Sequence, residues 1–210
     1  MKNLFKKKVI NLLVKIYQLG SFYHRERQML LMRRNCNINL NSFLLDNADI
    51  QNHSGDSSKI IIGSNSYISG KLIVYPYGGF IKIGDFCSLS ENSRIVSGKK
   101  IVIGNRVMIA HNVNILDNIS HPIDAIERHQ DFIEHYTKGM QFHDLKSREI
   151  IIEDDVWIGF NSTIMKGVTI GRGAIIGANS IVTHDVEAWT VNVGYPLKVI
   201  RKLESVDLKI

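Results

Sequence analysis

The chain has 210 residues, 44% of them hydrophobic, a formal net charge of +6 and a pI near 9.3. This length fits one domain, or one domain with an appendage, and allows a sizeable core. The charge favours an anionic partner. Lys and Arg concentrate at the two ends rather than in one stripe with interleaved aromatic residues, so nucleic acid is the least favoured partner. Cys36 and Cys87 have no metal or disulfide spacing, and we expect free thiols in a reducing compartment.

Residues 1–35 are predicted to be a basic amphipathic helical segment. Its apolar residues share one helical stripe and its lysines lie mostly off that stripe: Phe5, Val9, Leu12, Leu13, Ile16 and Leu19 against Lys6, Lys7, Lys8 and Lys15. No stretch reaches about 18 apolar residues, so neither a signal peptide nor a membrane span is predicted. Two interpretations stay open. The helix covers unpaired strand edges at the end of the next domain, or it contacts an anionic surface such as the inner membrane.

Residues 36–190 are predicted to form one domain of repeated short strands. Between Cys36 and Ser58 the chain is rich in Asn, Asp and Ser, which indicates irregular first repeats. Clear repeats start at Ile62, Ile83 and Ile103, about twenty residues apart and therefore near three six-residue units each. We predict one coil for each start, with a small insertion at residues 75–80.

The repeat stops after Ile115 and returns at Ile150 or Ile152, which leaves an extended loop at about 116–149. The loop is polar and aromatic, and an interruption this long is usually functional. It contains half of the eight histidines of the chain: His121, His129, His135 and His143.

Residues 152–186 carry the most regular pattern. A β-branched apolar residue stands at every sixth position: Ile152, Ile158, Ile164, Ile170, Ile176 and Val182. A helix would repeat at three and four residues, whereas an even period keeps these side chains on one face of extended chain. The pattern predicts hexapeptide coils of an all-β, parallel β-helix, with glycine supplying corner conformations closed to other residues. Residues 191–210 follow as a basic tail.

Several motifs together resemble the hexapeptide-repeat O-acetyltransferases, in particular the maltose, galactoside and nodulation-factor enzymes and the related capsule and O-antigen enzymes. They are HPIDAIER at 121–128, followed by EDDVWIG, GVTIG, GAIIGANSIVTHDV and GYPLKVIR at 194–201. The resemblance covers roughly residues 60–203. It implies a left-handed β-helix, a homotrimer, and acetyl transfer from acetyl-CoA to a carbohydrate hydroxyl of a bacterial surface polysaccharide or its precursor, in the cytoplasm and without a metal.

By that resemblance His121 is the general base, because imidazole has a suitable pKa to take the proton of an attacking hydroxyl. His111 is the alternative, although its offset also fits a corner of the repeat. Asp117 is expected to orient the imidazole or bind acceptor hydroxyls, and Asp124 to serve hydrogen bonding within the loop. Ser90, Glu91 and Asn92 precede His111 by about one coil, so Ser90 and Asn92 are expected to flank the same acceptor cleft as His111.

The resemblance also carries over a set of cofactor residues. Trp157 would line the pantetheine channel, with Phe160 beside it in place of a small polar residue, and backbone groups near Gly177 and Ala178 would pair with pantetheine amides. Thr183 and His184 fall on the family's VTKD segment, and Lys198 and Arg201 would contact the phosphates of coenzyme A.

Three interpretations compete with this one. A γ-type carbonic anhydrase has the same triangular parallel β-helix, but the H-x4-H spacing of its zinc ligands is missing here. A non-catalytic scaffold is less favoured, because His121, Trp157 and Lys198 occur together. N-acylation of an amino-sugar nucleotide would often bring an N-terminal nucleotide-binding fold, and no glycine-rich strand-turn-helix is found.

Within the loop, the extra length at 131–145 is interpreted as a cover over a different or larger acceptor, or as a partial lid.

Overall fold

The aliphatic residues of the six-residue repeat point to one common axis in the computed structural model, which describes residues 2–139 and 144–205. Each coil runs through three short strands, and successive coils pair strand on strand in parallel. The result is a triangular prism with three faces, sheets A, B and C. The fold is a left-handed parallel β-helix, as the sequence predicts.

The strands are numbered along the chain. Sheet A contains β1 (Asn37–Ile38), β4 (Ile60–Ile62), β7 (Ile81–Ile83), β10 (Ile101–Ile103), β13 (Ile150–Ile152) and β16 (Thr169–Ile170). Sheet B contains β2 (Phe43–Leu44), β5 (Tyr67–Ile68), β8 (Ser88–Leu89), β11 (Met108–Ile109), β14 (Trp157–Ile158), β17 (Ile175–Ile176), β19 (Thr190–Val193) and the antiparallel β20 (Lys198–Lys202). Sheet C contains β3 (Asp49–Asn52), β6 (Lys71–Val74), β9 (Arg94–Ser97), β12 (Asn114–Leu116), β15 (Thr163–Ile164) and β18 (Ile181–Val182).

The core is a stack of aliphatic side chains, and on sheet A the stacked residues are identical. On sheet A, Ile62, Ile83, Ile103, Ile152 and Ile170 follow one another in register, and each is almost fully buried. Burying one such side chain contributes about 1.5–3 kcal/mol relative to leaving it exposed. The register continues from Ile103 to Ile152 across the long excursion, so the excursion leaves the prism undisturbed.

The glycines that follow the inward isoleucines have a different role from the one the sequence suggested. A Cβ added at Gly84 would lie 2.5 Å from the carbonyl oxygen of Gly104 in the next coil, so glycine is required there by the close approach of two backbones. Positive φ angles at the corners belong mainly to other residues, among them Asn92, Asn112, Asn161 and Asn179. Asn tolerates this conformation better than most side chains, which explains its recurrence.

Helix α1 (Lys2–Arg34) precedes the prism. Its last turns contact the first coil, where Met29 and Met32 pack against the core. Asn35 follows the helix and donates from Nδ2 to the carbonyl oxygen of Ile50 at 3.1 Å. Among the described side chains of α1, those that contact the end of the solenoid belong to these last turns.

The excursion contains a helix that the sequence analysis treated as loop, α2 (Ala125–Lys138). Asp124 is its N-cap and accepts from the backbone N–H groups of Ile126 at 2.9 Å and Glu127 at 3.0 Å. These hydrogen bonds hold the pKa of Asp124 below its ordinary value. Its expected role in hydrogen bonding within the loop therefore agrees with its geometry. His143 lies outside the described residues.

Both cysteines are buried and free. Burial raises the pKa of Cys36 and of Cys87 to about 11, since the thiolate is poorly solvated in the core. Cys87 packs at a corner as the small residue of its repeat, and it is no candidate nucleophile.

An ion-pair network joins three coils at the corner between sheets A and B. Asp155 accepts from Arg106, with Nη2 to Oδ2 at 3.1 Å, and from Arg172 Nε at 2.9 Å. Arg106 and Arg172 stand on the coils before and after Asp155. The hydrogen bond from Arg106, and then the hydrogen bond from Arg172, hold the pKa of Asp155 below its ordinary value of 3.8.

Replacing Asp155 by Asn is expected to reduce the free energy of unfolding by about 1.5–3 kcal/mol at neutral pH, because the side chain loses its negative charge and keeps only one of the two oxygens that accept from Arg106 and Arg172. A depressed folded-state pKa stabilises the fold above the ordinary pKa of 3.8, and this contribution is lost as the pH falls through the folded value. Thermal unfolding of both proteins at several pH values measures this. The difference in the free energy of unfolding between the two proteins should be largest near neutral pH and should shrink below pH 3.8. A difference that does not change with pH would contradict the stabilising role of the Asp155 carboxylate.

Candidate active site

The turns between sheets B and C stack into one edge of the prism, here called the B/C edge: residues 90–92, 110–112, 159–161 and 177–179. Backbone hydrogen bonds join the successive turns, for example Asn161 N–H to the His111 carbonyl at 3.0 Å and Asn179 N–H to the Phe160 carbonyl at 2.9 Å. The predicted acceptor residues Ser90, Asn92 and His111 therefore lie on the same edge as three predicted cofactor residues, Phe160, Gly177 and Ala178.

Sheet B presents an apolar row to solvent beside this edge. Trp157 is 50% exposed and pairs with Met108 on one side and Ile175 on the other. The row continues through Val191 to Arg201, three strand spacings from Trp157, or roughly 14 Å. Lys198 pairs with Val193 on the same strand pair as Arg201. An aromatic surface that ends at two exposed cations has the form needed by an extended apolar arm that carries phosphates.

Thr183 and His184 lie elsewhere. They follow β18 at the edge between sheets C and A, here called the C/A edge, and their side chains contact each other at 3.3 Å. The long excursion leaves the prism at this same edge, between β12 and β13. Within one chain these two predicted cofactor residues thus lie on the opposite side of the prism from Trp157.

His121 lies at the start of the excursion, where its side chain is 62% exposed. Its Nδ1 is 2.8 Å from Oδ2 of Asp131 on α2. A carboxylate only accepts hydrogen bonds, so in the neutral imidazole this pair places the proton on Nδ1 and the lone pair on Nε2. This arrangement gives the imidazole a fixed tautomer with a basic nitrogen available to a ligand.

A cleft of about 130 Å³ surrounds this pair, lined by Tyr75, Tyr77, Ser120, His121, Asp131, His135 and Leu145. Tyr75 and Tyr77 come from the insertion at 75–80, with ring centroids 5.7 Å apart. Burial first, then Tyr75 and the charge of Asp131, raise the pKa of Tyr77 to about 12. Both phenols therefore stay protonated at neutral pH, as hydrogen-bond donors beside the imidazole.

Asp131 is a candidate site residue that the sequence pattern does not predict. It lies ten residues after His121 in a segment that was treated as loop, and only the helical geometry of α2 brings its side chain back to the imidazole. A signal was present, because Asp124 followed by Glu127 is a helix-start pattern. Extending a helix from that start would have suggested a side chain of α2 as the partner of His121.

The placement of Asp117 corrects a prediction. Its side chain is fully buried and its carboxylate accepts from Ser97 Oγ and from the backbone N–H groups of Gly98, Lys99 and Lys100, all at 2.7–2.9 Å. With these donors in place the carboxylate can neither bind an acceptor hydroxyl nor orient His121. Asp117 instead holds the 98–100 turn against the base of the excursion.

Helix α2 turns polar side chains toward the prism and apolar side chains toward solvent, which is the reverse of an ordinary surface helix. Asp131 and His135 face the cleft beside the prism, whereas Ile126, Phe132 and Tyr136 are well exposed. Among the described residues of α2, none is buried. A polar helix face lining the cleft suits a site for hydroxylated ligands.

The two halves of the predicted site cannot meet within one chain. His121 stands at the C/A edge, and in a three-sided prism that edge is opposite sheet B, which carries Trp157. A reaction that needs both residues requires a second copy of the chain. Across residues 2–139 and 144–205, no group of three His, Cys, Asp or Glu side chains is arranged to hold a metal ion.

Comparison with known proteins defines the class of the fold. Residues 149–184 match the family described as bacterial transferase hexapeptide (six repeats), which confirms the hexapeptide resemblance inferred from the sequence. The matched segment contains the turns that carry Trp157, Phe160, Gly177 and Ala178.

Individual relatives agree with this class. A 2,3,4,5-tetrahydropyridine-2,6-dicarboxylate N-acetyltransferase of Staphylococcus aureus is 54% identical over 58 residues, 28% of this chain and 24% of that protein, so the chain spans about a quarter of its length. A maltose O-acetyltransferase from Clostridium difficile has a TM-score of 0.50 and 28% identity, covering 86% of this chain and 76% of that one. The N-acyltransferase AntD from Bacillus cereus, solved with dTDP-4-amino-4,6-dideoxyglucose and coenzyme A, has a TM-score of 0.65 at 20% identity and covers 86% and 90%.

Replacing Asp117 by Ala is expected to lower the free energy of unfolding by about 3 kcal/mol or more, since the Ser97 hydroxyl and three backbone N–H groups lose a charged acceptor that is itself fully buried. For a chain of this size that corresponds to a fall in Tm of roughly 6–12 °C. Differential scanning calorimetry measures it, with the exposed Asp144→Ala as the matched control. An unchanged Tm would contradict the structural role given to Asp117.

Proposed function

We propose that this protein is an acetyl-CoA-dependent O-acetyltransferase that acts on a hydroxyl of a carbohydrate, a bacterial surface polysaccharide such as capsule or O-antigen or a precursor of one. The observation that carries the proposal is the imidazole of His121, held through Nδ1 by Asp131 with Nε2 directed away from the pair. Similarity to a maltose O-acetyltransferase supports the acceptor class. The buried free thiols fit a reaction in the reducing cytoplasm.

In the proposed reaction Nε2 of His121 takes the proton of the acceptor hydroxyl as its oxygen attacks the thioester carbonyl. The new C–O bond forms, the C–S bond breaks, and the imidazolium returns its proton to the departing thiolate. Asp131 keeps the imidazole in the productive tautomer and balances the charge that His121 gains. The transfer is direct, without an acyl-enzyme, and a backbone amide holds the tetrahedral oxyanion.

The cofactor is proposed to lie along sheet B, where the exposed row from Trp157 to Arg201 fits a pantetheine arm and its phosphates. Phe160 and backbone groups near Gly177 and Ala178 lie beside this row, and Lys198 and Arg201 supply charge. Ser90, Asn92 and His111, on the same edge, are proposed to contact the acceptor.

A homotrimer completes the proposed site. Because His121 and Trp157 stand on opposite sides of one prism, His121 of one protomer is proposed to work on a cofactor held by Trp157 of the next. Around a threefold ring each protomer gives its C/A edge to one neighbour and receives the other neighbour's C/A edge against its sheet B. Thr183 and His184, on the C/A edge, would then reach the cofactor across the same interface.

The proposal is tested by release of coenzyme A thiol from acetyl-CoA with a panel of mono- and oligosaccharides and one amino-sugar nucleotide. His121→Ala should reduce turnover by about 10²–10⁴ while acetyl-CoA binding is retained. His129→Ala, an exposed histidine on the same excursion, is the matched control and should keep the wild-type rate.

Three results would argue against parts of the proposal. Retention of the rate in His121→Ala would move the role of base to His111. Turnover of the amino-sugar nucleotide alone would make the protein an N-acyltransferase. Failure of the wild-type protein to bind acetyl-CoA would favour a non-catalytic scaffold.

The role of Asp131 has its own test. Asp131→Asn keeps the shape of the side chain but removes the preference for a proton on Nδ1, so turnover should fall on the order of 10²-fold with KM for acetyl-CoA unchanged. Long-range ¹H–¹⁵N NMR of the His121 ring should show Nδ1 protonated in the neutral wild type and a loss of that preference in the variant. Glu127→Gln, a carboxylate on the same helix, is the control. An unchanged tautomer together with an unchanged rate would overturn the role.

A further inference from the structure

Among the described side chains of helix α1, those that pack against the prism lie near its C-terminal end. Met29 and Met32 pack against the core, and Cys36, two residues after the helix, is buried in the first coil. In the same region Asn52 Nδ2 donates to the Asn35 carbonyl oxygen at 2.8 Å. These contacts fix where α1 leaves the solenoid.

Farther from the prism, the described apolar side chains of α1 are exposed. Ile10, Leu13, Val14 and Tyr17 are spaced by three and four residues, so they lie on one face of the helix. Leu19 and Tyr23, also exposed, lie on the other side, so the described apolar side chains are not confined to the single stripe that the sequence predicts. Their exposed fractions run from 47% to 78%. No described helix is long and apolar enough to cross a membrane. A helix that buries such a face without spanning can lie in the plane of an interface.

The charge of the protein is concentrated in this helix. Residues 2–34 contain nine Lys and Arg and one acidic residue, Glu26, which gives +8. The remaining chain has 26 − 9 = 17 basic and 20 − 1 = 19 acidic residues, a net charge of −2. The whole positive balance of the protein therefore belongs to α1.

We propose that α1 binds the surface of an anionic lipid bilayer, with Ile10, Leu13, Val14 and Tyr17 in the interfacial region and its net charge of +8 attracted by acidic headgroups. Charge complementarity selects this occupant. Pairing of α1 with α1 of a second copy would bring two segments of +8 together, whereas anionic lipid attracts each basic residue near its surface. The proposal does not depend on the chemistry of the active site, but it would place the acceptor cleft beside a membrane, where a lipid-linked glycan is found.

The test is sedimentation of the full-length protein with two kinds of vesicle, one of phosphatidylcholine alone and one of equal parts phosphatidylcholine and phosphatidylglycerol. Binding is expected to the mixed vesicles only and to weaken as salt is added. Replacing Lys6, Lys7 and Lys8 by Gln should weaken it on the order of 100-fold. The matched control removes three lysines from the prism, Lys59, Lys82 and Lys99, and should bind as the wild type does.

A second variant separates the apolar contribution from the charge. Leu13→Gln with Tyr17→Gln should weaken binding to mixed vesicles at unchanged net charge. Equal binding to both vesicle types, or equal loss in the prism control, would overturn the proposal. A change of oligomeric state in Leu13→Gln/Tyr17→Gln, measured by light scattering without vesicles, would assign the face to a second copy and overturn it too.

Coenzyme A release with a soluble acceptor, measured on the same preparations, keeps this proposal separate from the proposed function. Wild-type activity retained by the α1 variants together with lost vesicle binding is the expected result. An active enzyme that does not bind the mixed vesicles would contradict only the membrane proposal. Vesicle binding by a protein without transferase activity would contradict only the proposed function.

Discussion

The vertical register of inward aliphatic side chains is the constraint on which the rest of this structure depends. Each isoleucine of sheet A stands on its counterpart in the coil before, and glycine lets the adjacent backbones approach closely at Gly84 and Gly104. No coil buries its own apolar face, so stability comes from stacking and grows coil by coil. The same register fixes where every turn lies, and it therefore aligns Ser90, His111, Phe160 and Ala178 along one edge.

Two regions outside this register supply what the prism itself lacks. The excursion contributes His121 and Asp131, and α1 contributes the positive charge. The prism provides the fixed surfaces, namely the apolar row of sheet B and the cations at its end. This division explains why the polar face of α2 turns toward the cleft: its purpose is to position side chains beside the prism, and its apolar residues contribute little to the fold of a single chain.

Much of the fold could be predicted from the sequence because six-residue periodicity is a local signal. Ile152 to Val182 reveal the coils directly, and the starts at Ile62, Ile83 and Ile103 predict the earlier ones. What the periodicity could not give is contact between residues of different elements. Asp117 and Asp131 are both acidic residues near His121 in the sequence, yet one is enclosed by the 98–100 turn and the other reaches the imidazole. Similarly, the pattern located the glycines correctly, but only the distance between coils shows that they are needed for close approach rather than for an unusual φ.

Backbone hydrogen bonds close the base of the excursion, at residues 117–119 and 145–148, here called the neck. The Arg148 N–H donates to the Asp117 carbonyl at 2.8 Å, and the Ile119 N–H donates to the Leu145 carbonyl at 3.3 Å, so chain leaving the prism and chain returning to it run side by side. Since Leu116 and Ile150 already belong to stacked coils, the segment above the neck can change in length and sequence without shifting the register of any strand pair. Under the proposed function, acceptor choice and folding are thus separate traits in this molecule, and a change in the first leaves the second intact.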